Sequence, residues 1–260
     1  MTEPIERTLQ LIVSYDGTNY AGWQIQNDQP TIQEAIETAL QAITGEKIRV
    51  TGSGRTDSGV HAIGQVVSFR TQSQLSPDVF RRALNSQLPP DIVVRDARRA
   101  IAEFNAINCA VKKRYRYLLQ EGRINDVFSR QYAGFVKKRL DFAAMRTGAQ
   151  YLIGEHDFAS FEAAGSERLS SVRHVYDLQV LRSERHEFDK IAIEVEANGF
   201  LYNMVRIIVG SLVEVGKGKR PPEWIGQVLA AKDRTIGGMT APAHGLYLLH
   251  VDYPDHCWLD

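Results

Sequence analysis

The sequence predicts an α+β protein in which the order β-α-β-β-α-β occurs twice, once in each half of the chain. Three observations carry this. Period-two alternation marks strands, apolar residues three and four apart mark helices, and Gly and Pro punctuate both kinds of run in a matching order.

In the first half, Leu9, Leu11, Val13 and Tyr15 alternate with Thr8, Gln10 and Ser14, predicting a half-buried strand. Thr31 and Glu34 form a capping box, and Ile32, Ile36, Ala39, Leu40 and Ile43 follow at helical spacing until Gly45 stops the helix. Strands are predicted over residues 47–53 and 64–70, joined by a Gly-rich loop. Ser76-Pro77 opens a second helix with Phe80, Ala83, Leu84 and Leu88 on one face. Pro89-Pro90 ends it, and Ile92 to Arg98 reads as a strand.

The second half repeats the pattern of elements without repeating the sequence. Tyr115, Tyr117 and Leu119 line one face of a strand. Asp141 caps a helix bearing Phe142, Met145, Ala149 and Leu152, closed by Gly154. Strands follow over 174–182 and 191–197. A helical stripe runs from Leu201 to Leu212 and ends at Gly216, and Pro221-Pro222 starts a shorter helix. Residues 245–252 form the closing strand. Two ferredoxin-like halves with antiparallel sheets are the natural arrangement of such an order. The joint falls near residues 105–112, giving halves over 1–107 and 108–260. A central strand at 113–120 would join them into one continuous sheet.

Composition sets the class. Of 260 residues, 43% are apolar and 24% charged, which excludes a disordered chain and fits a soluble globular one. No window reaches the apolar length of a membrane span. Met1 to Arg7 lack the basic and apolar regions of a secretory signal. The 2 cysteines, Cys109 and Cys257, exclude a disulfide scaffold and a Cys-based zinc site, and they suit the reducing cytoplasm. His156-Asp157 has no third ligand at metal spacing and reads as structural, so no metal is expected.

Lys plus Arg is 31 and Asp plus Glu is 31, a zero balance that argues mildly against nucleic acid. The distribution differs. Between Arg95 and Arg139 the cations outnumber the acids by 8. Such a run is commonly a solvated face. Here Lys112-Lys-Arg-Tyr-Arg-Tyr117 interleaves aromatic rings with cations, which suits unstacked RNA.

Residues 51–61 read Thr-Gly-Ser-Gly-Arg-Thr-Asp-Ser-Gly-Val-His. Gly52, Gly54 and Gly59 allow positive φ and close backbone approach. Between them sit one cation, Arg55, and one carboxylate, Asp57. A plain hairpin connection is one reading, since Asp and Gly are ordinary turn residues. A phosphate loop fails for want of its Gly-Lys-Ser/Thr ending, and a dinucleotide fingerprint fails because no helix opens here. A catalytic carboxylate held by a kinked loop beside an Arg is the third reading.

Gly54-Arg-Thr-Asp-Ser-Gly-Val-His61 resembles the signature of the tRNA pseudouridine synthase A family. Tyr15-Asp-Gly-Thr-Asn-Tyr-Ala-Gly-Trp-Gln24 resembles its amino-terminal block and Lys113-Arg-Tyr-Arg-Tyr117 its second motif. Asn198-Gly-Phe-Leu-Tyr-Asn-Met-Val-Arg206 is similar to its third, and Ala230-Ala-Lys-Asp-Arg234 and Gly245-Leu-Tyr-Leu-Leu249 to its closing blocks. The resemblance runs from Leu9 to Pro254. One block departs: Phe104-Asn-Ala-Ile107 stands where the family usually has Phe-His-Ala-Arg, with basic residues at 112–114 as the compensating cations.

The resemblance implies an isomerase that converts uridine to pseudouridine at positions 38, 39 and 40 of the tRNA anticodon stem-loop. It implies a cytoplasmic homodimer, and no cofactor, metal or membrane. By match to the motifs, Asp57 is the catalytic aspartate, Arg206 its cationic partner, and Tyr115 the active-site tyrosine that packs on the flipped uracil. Tyr117 reads as core. Arg55 matches the residue that enters the space left by the flipped nucleotide. Leu246 and Tyr247 are expected to floor the uracil pocket, His61 to hold the loop or contact RNA, and Lys113 and Arg114 to bind substrate. Two rivals are weighed. A binding protein with halves like RNA-recognition domains has no need of a carboxylate in a basic site. A glycosidase needs two flanking carboxylates, and the Gly-Arg-Thr-Asp loop offers one.

Overall fold

The computed structural model describes residues 6–165, 170–183 and 190–259. The reading of the first residues as no secretory signal falls mostly on 1–5, outside the described residues. The fold is mixed α+β with a large, mostly antiparallel sheet. The chain divides into two compact units, Met1–Val111 with Leu248–Asp260, and Lys112–Tyr247.

The first unit contains β1 (Arg7–Tyr15), α1 (Ile32–Thr44), β2 (Thr51–Gly52), β3 (His61–Thr71), α2 (Pro77–Gln87) and β4 (Ile92–Ala100). β1 lies between β3 and β4, antiparallel to both. The helix ends form as the sequence predicts. Thr31 Oγ1 accepts from Glu34 N–H at 3.4 Å, and Gly45 closes α1 with φ of 75°. Ser76 Oγ accepts from Val79 N–H at 3.4 Å, ahead of Pro77.

Two expectations need correction here. β1 is half-buried only toward its end: Thr8 and Gln10, on the polar side of the alternation, are buried as well, while Ile12 and Ser14 stay part-exposed. The stretch after β4 explains this, for Thr8 Oγ1 donates to Ala102 O and Ala106 N–H donates to Ser68 Oγ across that face. The strand predicted over 47–53 contracts to Thr51–Gly52. Its backbone is taken by side chains of α1 instead. Val50 N–H donates to Glu37 Oε1 at 3.1 Å, and Gln33 Nε2 donates to Val50 O at 3.3 Å.

The second unit contains β5 (Lys112–Glu121), β6 (Gly134–Val136), α3 (Phe142–Gln150), β7 (Gly154–Asp157), β8 (Val172–Ser183), β9 (Lys190–Ala197), α4 (Met204–Gly216) and α5 (Trp224–Ala231). Its strands run β5-β9-β8-β7, antiparallel, with β6 parallel to β5. β6 and β7 are unanticipated, being too short for alternation to register. α4 starts at Met204 rather than Leu201 because Asn203 adopts left-handed backbone, φ 60°. Ile207, Ile208, Val209 and Leu212 of α4 are fully buried. β10 (Leu246–Asp252) closes the chain, and from Leu248 onward it lies beside β3 in the first unit. Gly64 is required there: a Cβ would sit 2.4 Å from Leu249 O. Among the described residues, no helix is long and apolar enough to cross a membrane.

Candidate active site

The Gly-Arg-Thr-Asp loop hangs between β2 and β3 and is braced from the amino-terminal block. Trp23 N–H donates to Thr56 O at 3.0 Å, and Gly22 pairs with Asp57 as an isolated antiparallel bridge. Gly22 has φ of 105°, and a Cβ there would lie 2.5 Å from Thr56 O, so only glycine lets the two segments meet. Beyond Asp57 the chain turns: Val60 N–H donates to Asp57 O at 3.1 Å, and Gly59 supplies the positive φ, 75°. Asp57 is half-buried at this turn and Arg55 is exposed.

Beneath the loop lies a polar brace that sequence reading missed. Gln65, on β3, is fully buried. Its amide accepts from Ser53 Oγ at 2.6 Å and donates to Gly54 O at 2.9 Å and Tyr15 Oη at 3.4 Å. Tyr15 Oη meets Thr56 Oγ1 at 2.8 Å. A polar side chain in the middle of an apolar strand was the available signal, because such a group must find partners. His61 is also buried, with Nδ1 3.1 Å from both Gly17 N and Asp16 Oδ1. The neutral ring can accept from Gly17 there, and a protonated Nδ1 would serve Asp16. Either way His61 ties β3 to the amino-terminal block.

Burial pushes the Tyr15 phenol from its ordinary 10 up to about 12, with Thr56 and Gln65 opposing the shift. The unfolded chain therefore releases this proton first. Tyr15 contributes nothing to pH dependence below pH 10, and stability falls between pH 10 and about 12, by roughly 2–3 kcal/mol in all. Tyr15→Phe is expected to flatten that part of the curve in urea melts at stepped pH. An unchanged slope would contradict the assignment.

In the second unit, Tyr115 on β5 is 8% exposed and packs edge-on against Phe200, ring centroids 4.9 Å apart. Tyr117, two residues on and facing the same way, is fully buried and donates to Pro242 O at 2.8 Å. Burial raises its phenol pKa, against the lowering effect of the nearby Arg206 charge. Tyr117 is core, as expected. Arg206, half-buried in the first turn of α4, donates Nε–H to Ala241 O and Nη1–H to Asn203 Oδ1, both at 2.7 Å. A cation at a helix N-terminus is disfavoured by the helix dipole. The neighbouring carbonyl and amide oxygens offset that cost and fix the guanidinium plane.

Lys113 is in register with Tyr115 on β5, one alternation away on the same face. Arg114, expected to bind substrate, lies on the face of β5 opposite Lys113 and Tyr115. It donates to Asp177 at 2.8 Å, Glu194 at 3.2 Å and Glu196 at 3.1 Å. Burial alone would lower its pKa, and these three hydrogen bonds outweigh that to raise it. Lys112 and Arg116 on the same face bind Glu196 and Glu194. Acids of β8 and β9 thus offset the basic run along β5. Leu246 is buried and Tyr247 half-buried, its hydroxyl donating to Tyr132 O at 2.8 Å. As adjacent strand residues they face opposite ways, so they do not share one side of the sheet. His156 and Asp157 are used locally, by Ile153 O and by Lys232. At the departing block, Asn105 Oδ1 accepts from Ile107 and Asn108 N–H, building a turn.

Asp57 is thus a carboxylate on a loop whose backbone is braced from the amino-terminal block. Comparison with known families gives the class: the family model described as tRNA pseudouridine synthase matches residues 11–111 and 149–254, and the chain belongs to that family. Among curated relatives, "tRNA pseudouridine synthase A" of Brevibacillus brevis is 48% identical over 247 residues, 95% of this chain and all of that one. The protein of the same name from Thermoanaerobacter sp. (strain X514) is 44% identical with the same coverage. That of Blochmanniella pennsylvanica is 45% identical over 246 residues, covering 95% of this chain and 93% of that one.

Proposed function

We propose that this protein isomerises uridine to pseudouridine in tRNA, at positions 38, 39 and 40 of the anticodon stem-loop. The observation that carries the reading is Asp57, the carboxylate of the Gly-Arg-Thr-Asp block, on a loop braced from Tyr15, Gly22, Trp23 and Gln65. In the reaction the N1–C1′ bond breaks, uracil turns, C5 bonds to C1′, and the C5 proton is lost as N1 gains one. Asp57 stabilises or captures the electron-poor fragment. Arg206 serves as the cation for that carboxylate, and Tyr115 packs on the uracil.

Reaching C1′ within a stem requires flipping the nucleotide, at a cost of a few kcal/mol. Arg55, exposed on the loop, fills the vacated space. Lys113 contributes a phosphate contact, and His61 keeps the loop in place. Leu246, on the buried side of β10, belongs to the uracil pocket. The isomerisation consumes no redox cofactor or metal. The protein works in the cytoplasm as a homodimer, and each chain is built of ferredoxin-like halves, the last reading supported for the first unit by its strand order β4-β1-β3 with β2 on β3.

The test uses the purified chain and tRNA carrying tritium at uridine C5, with no additive. Tritium release is expected, with pseudouridine mapped to positions 38–40. Binding without release would favour the RNA-recognition alternative, and pseudouridine elsewhere would overturn the site assignment.

A further inference from the structure

The chain has 2 cysteines, 148 positions apart, and the fold of the first unit brings them together. Cys109 sits on the turn built by Asn105: its N–H donates to Asn105 O at 3.0 Å, and its sulfur accepts from Asn105 N–H at 3.5 Å. Cys257 lies in a short 3-10 turn, Asp255–Cys257, after β10. The carboxy-terminal tail that carries it is docked on the segment that carries Cys109. Ile101 N–H donates to Cys257 O at 3.1 Å, Tyr253 Oη donates to Ala106 O at 2.7 Å, and Leu259 N–H donates to Arg99 O at 3.2 Å. Phe104 and Trp258 each pack edge-on against Tyr253 and meet each other at a tilt, joining the tail to the Cys109 segment. The two thiols are close enough for Cys109 to shift the ionisation of Cys257.

The environments of the thiols differ in a useful way. Cys109 is partly exposed and open to attack from solvent, whereas Cys257 is 1% exposed. Burial, then the neighbouring Cys109, holds the Cys257 thiol above its ordinary pKa, so it is a poor nucleophile toward dissolved reagents. Next to a sulfur already activated on Cys109, proximity replaces that missing reactivity.

We propose that Cys109 and Cys257 form a reversible thiol–disulfide site that takes a low-molecular-weight disulfide as oxidant and latches the carboxy-terminal tail onto the 98–111 segment. The Cys109 thiolate attacks one sulfur of the disulfide, forming a mixed disulfide and releasing one thiolate. Cys257 then gives up its proton, attacks the Cys109 sulfur and expels the second small thiol. Two protein thiols are oxidised to one disulfide, and one small disulfide is reduced to two thiols. In a reducing compartment the latch stays open, and a shift toward oxidising conditions closes it.

The experiment treats the folded, full-length chain with oxidised glutathione. The expected product is lighter by two hydrogen atoms, has no titratable thiol, and yields a Cys109–Cys257 linked peptide that dithiothreitol separates. Because the bond closes a long loop, its midpoint temperature is expected to rise by several degrees. Cys257→Ser is expected to accumulate a stable glutathione adduct on Cys109, as removal of a resolving thiol requires. Two separate adducts on the unmodified chain, a disulfide between two copies, or two unreacted thiols would each overturn the proposal. None of these readouts depends on RNA or on catalytic turnover, so the outcome stands apart from the functional reading.

Discussion

Asp57→Asn is expected to abolish turnover while leaving tRNA affinity within about tenfold of the parent. The substitution keeps the side chain's volume and the bracing of the loop, whose hydrogen bonds run through the backbone of Thr56, Asp57 and Val60 and through Gln65. What it removes is the charge and the nucleophilic oxygen. Under the proposed function, affinity would rest on many phosphate contacts and the chemical step on this group, so the two measurements should separate. The check is single-turnover tritium release beside filter binding at fixed salt. Residual activity above roughly 1% would take Asp57 out of the catalytic role.

Arg206→Ala is expected to lower kcat by roughly two to three orders of magnitude, the scale on which a preorganised charge acts in a water-poor site. Arg206→Lys should recover little. The guanidinium holds its plane by donating to Ala241 O and Asn203 Oδ1, a fork that a lysine ammonium cannot reproduce. Thermal melts of both variants control for the loss of those bonds from the start of α4. A variant that melts normally and turns over normally would contradict the role assigned to Arg206.

Local signals carried most of the fold. The caps at Thr31, Ser76 and Asp141 work as their sequence context predicts, since each is a bond between residues three apart. The failures are non-local. Residues 47–50 alternate like a strand, but Glu37 and Gln33 of α1 claim the backbone at Val50, a competition invisible without the packing. The acid partners of Arg114 are equally hidden in the sequence, because Asp177, Glu194 and Glu196 lie more than sixty positions downstream. The candidate site divides the same way. Asp57 stands out through its neighbours in the chain. Gln65 is eleven residues from Gly54 and fifty from Tyr15, and only folding shows that one amide ties them together.

The hydrogen bonds around Asp57 also say when the loop can let go. Amides of Trp23, Ile32, Gln33, Ser53 and Val60 all donate to fixed backbone carbonyls, and their acceptors belong to the loop, β3 and the amino-terminal block. Opening the loop by itself would strand the Trp23, Ser53 and Val60 amides and the buried Gln65 amide together. Its amides should therefore exchange with solvent at the pace of β1 and β3 rather than at that of a surface connection. The carboxylate is then part of one cooperative folding unit: it is either fully in position or the unit has come apart.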